Sequence, residues 1–278
     1  MTSRHTHIAI TMIAFGILLS LVGYFSGGKW SFVVNNEGIQ LPENNTLVNN
    51  SYKLDDFTNL NIINHYGDVE IVTSDRYALE TNTVNNDDVT YSIKNNTLTV
   101  ETKGKKKNGL QFFGFGSLRT PSIKIYVPSD VKLKTVVLDS NFGDTIIRGL
   151  NYQELNLIEE FGDILFKDTT GDKTEITQSF GDLKLQQFSS NGFVAESEHG
   201  DIAIDGTLNG SSTITSNFGD AILHLQNKKG ELGYELQTDF GDLIVDNKDQ
   251  NSKVSQSYNG DNQLKVTLSY GDLQLTLK

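Results

Sequence analysis

Aspartates that follow glycine recur through the second half of this chain at a spacing that could carry chemistry. Gly-Asp pairs begin at Gly143, Gly162, Gly181, Gly200, Gly219, Gly241, Gly260 and Gly271, and the first four steps, from Gly143 to Gly219, are equal. Stacked carboxylates invite two chemistries. One is calcium binding, in which oxygens from adjacent turns cage a hard cation. The other is glycoside hydrolysis, which needs a carboxylate pair across the scissile bond. The pattern argues against both. Calcium-binding β-rolls use a Gly-rich nonapeptide, Gly-Gly-x-Gly-x-Asp, whereas here the Gly-Asp step is far longer and no Gly-Gly-x-Gly occurs. Hydrolytic sites interrupt a repeat with clustered acids and bases, and these acids keep to regular turn positions. The five His are scattered, with no His-Glu-x-x-His, Gly-x-Ser-x-Gly or phosphate loop. No catalytic, cofactor-binding or metal-ligating residue is assigned.

The elements that position the Asp residues explain them better. Two and four residues after each Gly the side chains are mostly apolar, as at Ile164 and Phe166, Leu183 and Leu185, and Ile202 and Ile204. That is a strand with period two and one buried face. A second apolar position recurs later in each unit, at Leu157, Ile176, Ala195 and Ile214. A unit with two short strands cannot bury its own face, but a stack of such units can. The expected fold is all-β: a single-chain parallel β-solenoid of about 19-residue coils.

The residue before each Gly is aromatic in most copies: Phe142, Phe161, Phe180, Phe218, Phe240 and Tyr270, with His199 as a variant. If the ring points inward with the later apolar positions, strict alternation fails by one residue and the chain must bend. Glycine permits the bend at least cost. Gly143, Gly162, Gly181, Gly200, Gly219, Gly241 and Gly271 are therefore read as structural corners. The rings would form an internal aromatic stack, and the Asp residues would face out and accept hydrogen bonds from corner amides. An earlier copy, His65-Tyr66-Gly67-Asp68, lies four periods before Gly143 and hints that the preceding strands belong to the same stack.

Four segments follow. Residues 1–29 hold the apolar run Ile8–Phe25, at the threshold for a spanning helix. Arg4 precedes the run, which places the N-terminus in the cytoplasm and the body outside as a single-pass signal anchor; a cleaved signal peptide is the rival. Residues 30–51 read as an extracytoplasmic tether, 52–138 as an N-terminal β region with a hairpin turning at Asn95-Asn96, and 139–278 as the solenoid. The formal charge is −12, which disfavours nucleic acid, and the absence of Cys excludes disulfides and thiolate metal sites. Within 103–121 the composition changes: Lys105, Lys106 and Lys107 precede Phe112, Phe113 and Phe115. This stretch is either a loop folded back on the sheet or a contact for lipid headgroups or an anionic wall polymer.

Taken together, the anchor, the β-rich region and tandem units such as "TQSFGDLKL" and "TSNFGDAIL" resemble the bacterial β-strand-repeat family labelled adhesins, including the LiaG-like membrane proteins of envelope-stress loci. The resemblance covers about 50–278. It implies an extracytoplasmic, non-enzymatic β-solenoid and transfers no functional residue. The expected function is a membrane-anchored binding or scaffold module at the cell envelope. The alternatives are a polysaccharide-active enzyme on the same scaffold, which an irregular acidic cluster in a groove would favour, and a regulator of a neighbouring membrane sensor.

Overall fold

The computed structural model describes residues 11–13, 15–16, 18–20, 22–23, 32–35, 38–40, 47–83, 88–103, 109–112 and 120–278. The chain divides into two compact units, one of residues 1–46 with 105–119, the other of 47–104 with 120–278. In the first, strand Phe32–Asn35 pairs antiparallel with Gly38–Gln40 on one side and Gly109–Phe112 on the other. The segment read as a tether thus carries strands, favoured by β-branched Val33 and Val34. Residues 11–13, 15–16, 18–20 and 22–23 are helical, and no helix among the described residues is long and apolar enough to cross a membrane.

The second unit is a solenoid. A representative coil is Asn151–Phe161, the corner Gly162-Asp163, strand Ile164–Lys167, and a turn at Asp168, whose φ is +54°. Tyr152, Leu155, Leu157, Glu159, Ile164 and Phe166 are buried. Alternation slips at Gln153-Glu154 and at Glu160-Phe161, where two successive side chains face outward, and there the coil changes direction. Neighbouring coils pair in parallel register, Leu138 with Leu157 and Leu157 with Ile176. Identical columns of apolar side chains then fill the interior.

The stack is not wholly parallel, and its order departs from the chain order. Strand Asn59–Asn64 pairs parallel with Lys132–Phe142, so the early copy at Gly67 is the layer directly beneath Gly143. Below it lies a split layer: Thr97–Thr102 runs parallel to Asn59–Asn64, and Ser122–Pro128 parallel to Asp68–Ser74. Strand Thr97–Thr102 ends, and strand Ser122–Pro128 begins, where other coils turn their corner. Antiparallel strands cover this end. Val89–Lys94 pairs with Thr97–Thr102 through Asn95-Asn96, both at positive φ as a two-residue hairpin requires. Ala78–Thr83 pairs with Ser122–Pro128, and Val48–Lys53 with Ala78–Thr83.

At the other end, the layer after Ser211–Phe218 is Gln263–Tyr270, and Gly233–Phe240 lies beyond it. The chain skips one layer through residues 226–232, builds the outer coil, turns back through Lys248–Gln250 and Lys253–Gln256, and fills the gap. This accounts for the irregular steps in the Gly-Asp series, the long one from Gly219 to Gly241 and the short one from Gly260 to Gly271. Gly260 belongs to the returning connection, lacks the positive φ of the corner glycines and is not a corner.

One inner column is polar. Three residues before seven of the eight corner glycines stand Asn64, Ser140, Glu159, Gln178, Ser197, Ser216 and Thr238, all buried; before Gly271 the place is taken by buried Leu268. Several hold corner carbonyls: Asn64 Nδ2 donates to Gly67 O at 2.6 Å, Gln178 Nε2 to Gly162 O at 2.7 Å, and Thr238 Oγ1 to Gly271 O at 2.8 Å. Glu159 is the column's ionisable member. It accepts from Thr145 Oγ1 at 2.8 Å, and burial pushes its carboxyl up to about 8 against the opposing hydrogen bonds from Thr145 and Ser140. A folded-state value above the ordinary one means the neutral acid is the form that folds best. Its contribution is complete below about pH 4.5, falls as pH rises toward 8, and is gone above it. Urea melts between pH 5 and pH 8.5 should show wild-type stability declining by up to about 1.4 kcal/mol per pH unit relative to Glu159→Gln. Parallel pH profiles for the two proteins would contradict a buried neutral Glu159.

Candidate functional site

The corner edge is where the sequence concentrates its repeated groups. In stack order the corner glycines are Gly67, Gly143, Gly162, Gly181, Gly200, Gly219, Gly271 and Gly241, with φ between +114° and +157°. A Cβ built on each from Gly143 onward would overlap the carbonyl oxygen of the corner glycine in an adjacent layer. Steric exclusion between layers, as well as φ, therefore demands glycine. Gly67 has the same geometry against Pro121 O, and its His-Tyr-Gly-Asp copy was the signal for it.

The Asp residues form a ladder between layers. The backbone N–H of Asp144 donates to Asp68 Oδ1, Asp163 to Asp144, Asp182 to Asp163, Asp201 to Asp182, Asp220 to Asp201, Asp272 to Asp220 and Asp242 to Asp272, at 2.8–3.1 Å. Each carboxylate bonds its neighbour's amide and not its own corner. Charges one layer apart repel by about 0.8 kcal/mol in water, and a hydrogen bond to a charged group contributes about 1.5–3 kcal/mol. The ladder is favourable on balance. Among the described residues no group of three or more His, Cys, Asp or Glu side chains could hold a metal ion.

The rings point outward, not inward. Phe142, Phe161, Phe180, Phe218, Tyr270 and Phe240 are 42–65% exposed. The bend falls at the ring itself, so the inward place passes to the residue two positions earlier, the polar column above. The rings still stack. From Phe142 through Phe161, Phe180, His199, Phe218 and Tyr270 to Phe240, successive centroids lie 4.8–5.0 Å apart with planes within 12°. Each pair adds about 0.5–1.5 kcal/mol. Because ring faces cover one another, solvent meets only ring edges, and the interior of this stripe offers no face for a ligand to lie on. His199 is one rung of the stack. The corner edge is a structural spine.

The Lys/Phe stretch stands apart. Lys105, Lys106, Lys107, Phe113 and Phe115 lie outside the described residues, while Phe112 ends strand Gly109–Phe112 with its backbone opposite Phe32.

A concave site lies at the split-layer end, where the repeat breaks down. A groove of about 590 Å³ runs over strands 48–53, 78–83, 122–128, 68–74 and 145–148. Asn49, Ser51, Asp68, Glu70, Glu80, Asn82, Ser122, Lys124 and Ile146 line it. Glu70 is ion-paired with Lys124 at 3.0 Å and Arg148 at 3.6 Å, and Tyr126 donates to Glu80 Oε2 at 2.8 Å. Burial raises the Asp68 carboxyl above its ordinary range, opposed by the hydrogen bond from the Asp144 amide. Only Asp68 carried a sequence signal. Its companions come from strands far apart in the chain, joined by antiparallel pairings that no local pattern announces.

A parallel stack with a glycine corner, an aspartate ladder and an exposed aromatic stripe defines a class of β-solenoid built by layer repetition. The chain belongs to the Toastrack DUF4097 family, whose model matches residues 57–276. Among solved structures it is similar to a protein of Clostridium sporogenes provisionally named for cell adhesion, at 13% identity over 84% of this chain and 100% of that one, TM-score 0.45. It is also similar to a provisionally named adhesin of Parabacteroides distasonis, at 14% identity over 84% and 98%, TM-score 0.44. A provisionally named lipid binding protein of the same species shows 17% identity over 84% and 98%, TM-score 0.39. No curated protein matches the sequence.

The corner geometry sets a mutational expectation. Gly181→Val puts a β-branched side chain against the Gly162 carbonyl at a φ of +130° and should cost at least about 2 kcal/mol. Lys184→Thr, three residues on and outward-facing, should change stability by under about 0.5 kcal/mol. Denaturant melts of the two variants check this, and equal stability would contradict the corner.

Proposed function

We propose that the chain is a non-enzymatic binding module, held on the outer face of a bacterial cell envelope by its N-terminal apolar segment. The groove carries this reading: a concave polar site set on an otherwise repeat-regular scaffold. Its acids suit binding better than hydrolysis. Glu70 is tied to two cations and Glu80 to the Tyr126 hydroxyl, so neither is a free acid poised beside a free base. The envelope location is supported by the family resemblance and by the run Ile8–Phe25, in which Met12, Ile13, Phe15, Leu18, Leu19 and Val22 are exposed apolar side chains on helical backbone. An envelope-stress role of the LiaG-like kind is the finer form of the proposal.

Orientation is testable. External protease on intact cells should digest the solenoid and spare the N-terminus; digestion only after lysis would overturn the outward placement. A mature protein starting near Ser26 would show the segment to be cleaved.

The Lys/Phe stretch is a second envelope contact in this proposal, for lipid headgroups or an anionic wall polymer. Each Lys contributes about 1 kcal/mol near an anionic surface, screened by salt. Setting aside Arg4 and Lys29, the remaining chain carries −14 against the total of −12, which opposes that contact. Binding to anionic vesicles should be weak and fall with salt. Replacing Lys105, Lys106 and Lys107 by Gln should remove most of the salt-sensitive part, and Phe112 and Phe113 to Ser should lower what persists at high salt. Equal binding by wild type and both variants would contradict the contact.

A further inference from the structure

We infer that the groove is a glycan site for a short run of uncharged sugar residues, hexopyranose or N-acetylhexosamine. The inference rests on the binding-module reading and names its ligand class. Strand register arranges the lining into two rows that cross the strands. One runs Ser51, Glu80, Lys124, Glu70, Ile146, and the other Asn49, Asn82, Ser122, Asp68. Successive side chains in a row stand one strand spacing apart, about 4.8 Å, which is comparable with the length of one pyranose unit. A sugar chain lying across the strands therefore meets a new polar group at each residue.

The unused hydrogen-bonding capacity fits a polyol. Among the described residues, the side chains of Asn49, Ser51 and Ser122 make no hydrogen bond. Asp68 and Glu80 each use one carboxylate oxygen, through Oδ1 and Oε2, and keep the other. Sugar hydroxyls donate to those carboxylates and amide oxygens, and they accept from the Asn amides and Ser hydroxyls. Ile146 closes one row with an apolar surface for the C–H face of a ring.

The charge pattern selects against ions. Lys124 and Arg148 share the one Glu70 carboxylate, and with Asp68 and Glu80 the groove holds three acids against two cations, a net charge that disfavours an acidic ligand. The volume of about 590 Å³ is within the usual range of small-ligand sites. Continued up the solenoid, the first row becomes Ile146, Leu165, Lys184, Ala203 and Ile222, with no comparable run of hydroxyls and amides. The polar trough is confined to the split-layer end.

The test is calorimetry on the full chain, kept in a sugar-free detergent, with chitotetraose, maltotetraose and the acidic tetragalacturonate as probes. At least one neutral tetramer should bind saturably and more tightly than tetragalacturonate. Asn49→Ala with Glu80→Gln should weaken that binding about tenfold, Ser122→Trp should abolish it by filling the trough, and Lys184→Ala should leave it unchanged. Thermal melts identify variants that fail to fold, and Glu80→Gln alone, which keeps an acceptor for Tyr126, then serves in their place with a measurable loss. The inference is overturned if no neutral tetramer binds at 10 mM (roughly the weak end of useful recognition), if the groove variants bind like wild type, or if tetragalacturonate binds as tightly. None of these results bears on the protease experiment, so the envelope reading stands or falls separately.

Discussion

Everything in the solenoid is arranged around a close approach of backbone to backbone. At each corner from Gly143 onward the glycine carbonyl of one layer occupies the place where the next layer would carry a Cβ. That contact keeps layers at the spacing of hydrogen-bonded strands through the bend, where a bulkier residue would splay them. It brings each Asp carboxylate to the amide above and holds successive rings near 5 Å. It also exposes carbonyls to the interior, and the inner polar column answers them, as Gln178 does for Gly162. Glycine, aspartate, ring and inner polar residue are four parts of one joint.

Much of this joint was legible in the sequence. The period, the buried positions after each Gly and the column at Leu157, Ile176, Ala195 and Ile214 follow from alternation within a coil. The ring direction did not. Reasoning along one coil assigns a large apolar side chain to the core, but each Phe is shielded by the rings above and below, along an axis that a single coil does not contain. The inner place went to mostly polar residues, of which Asn64, Gln178 and Thr238 donate to corner carbonyls. The stack order was hidden for a related reason. The long step from Gly219 to Gly241 does not reveal by itself that the chain there passes over a whole layer, which Gln263–Tyr270 fills later. The groove was the least legible part. Asn49, Glu80, Lys124 and Glu70 meet only through register across four strands.

The solenoid separates a repeat-regular spine from ends where the repeat is broken. Along the spine, each layer repeats its neighbour, and ring faces and carboxylate oxygens are taken up by adjacent layers. At the split-layer end, antiparallel strands replace the coil and bring unrelated side chains together, free of the repeat.

The inserted layer at the opposite end changes how the stack can come apart. In a simple repeat array, end units open first and at low cost. Here residues 263–277 lie between two layers laid down earlier in the chain, pairing with Ser211–Phe218 on one side and Gly233–Phe240 on the other. Loss of this segment would not shorten the array by one unit; it would strip the outer coil of its parallel neighbour. The end of the solenoid is therefore latched, and its outermost coils open together or not at all.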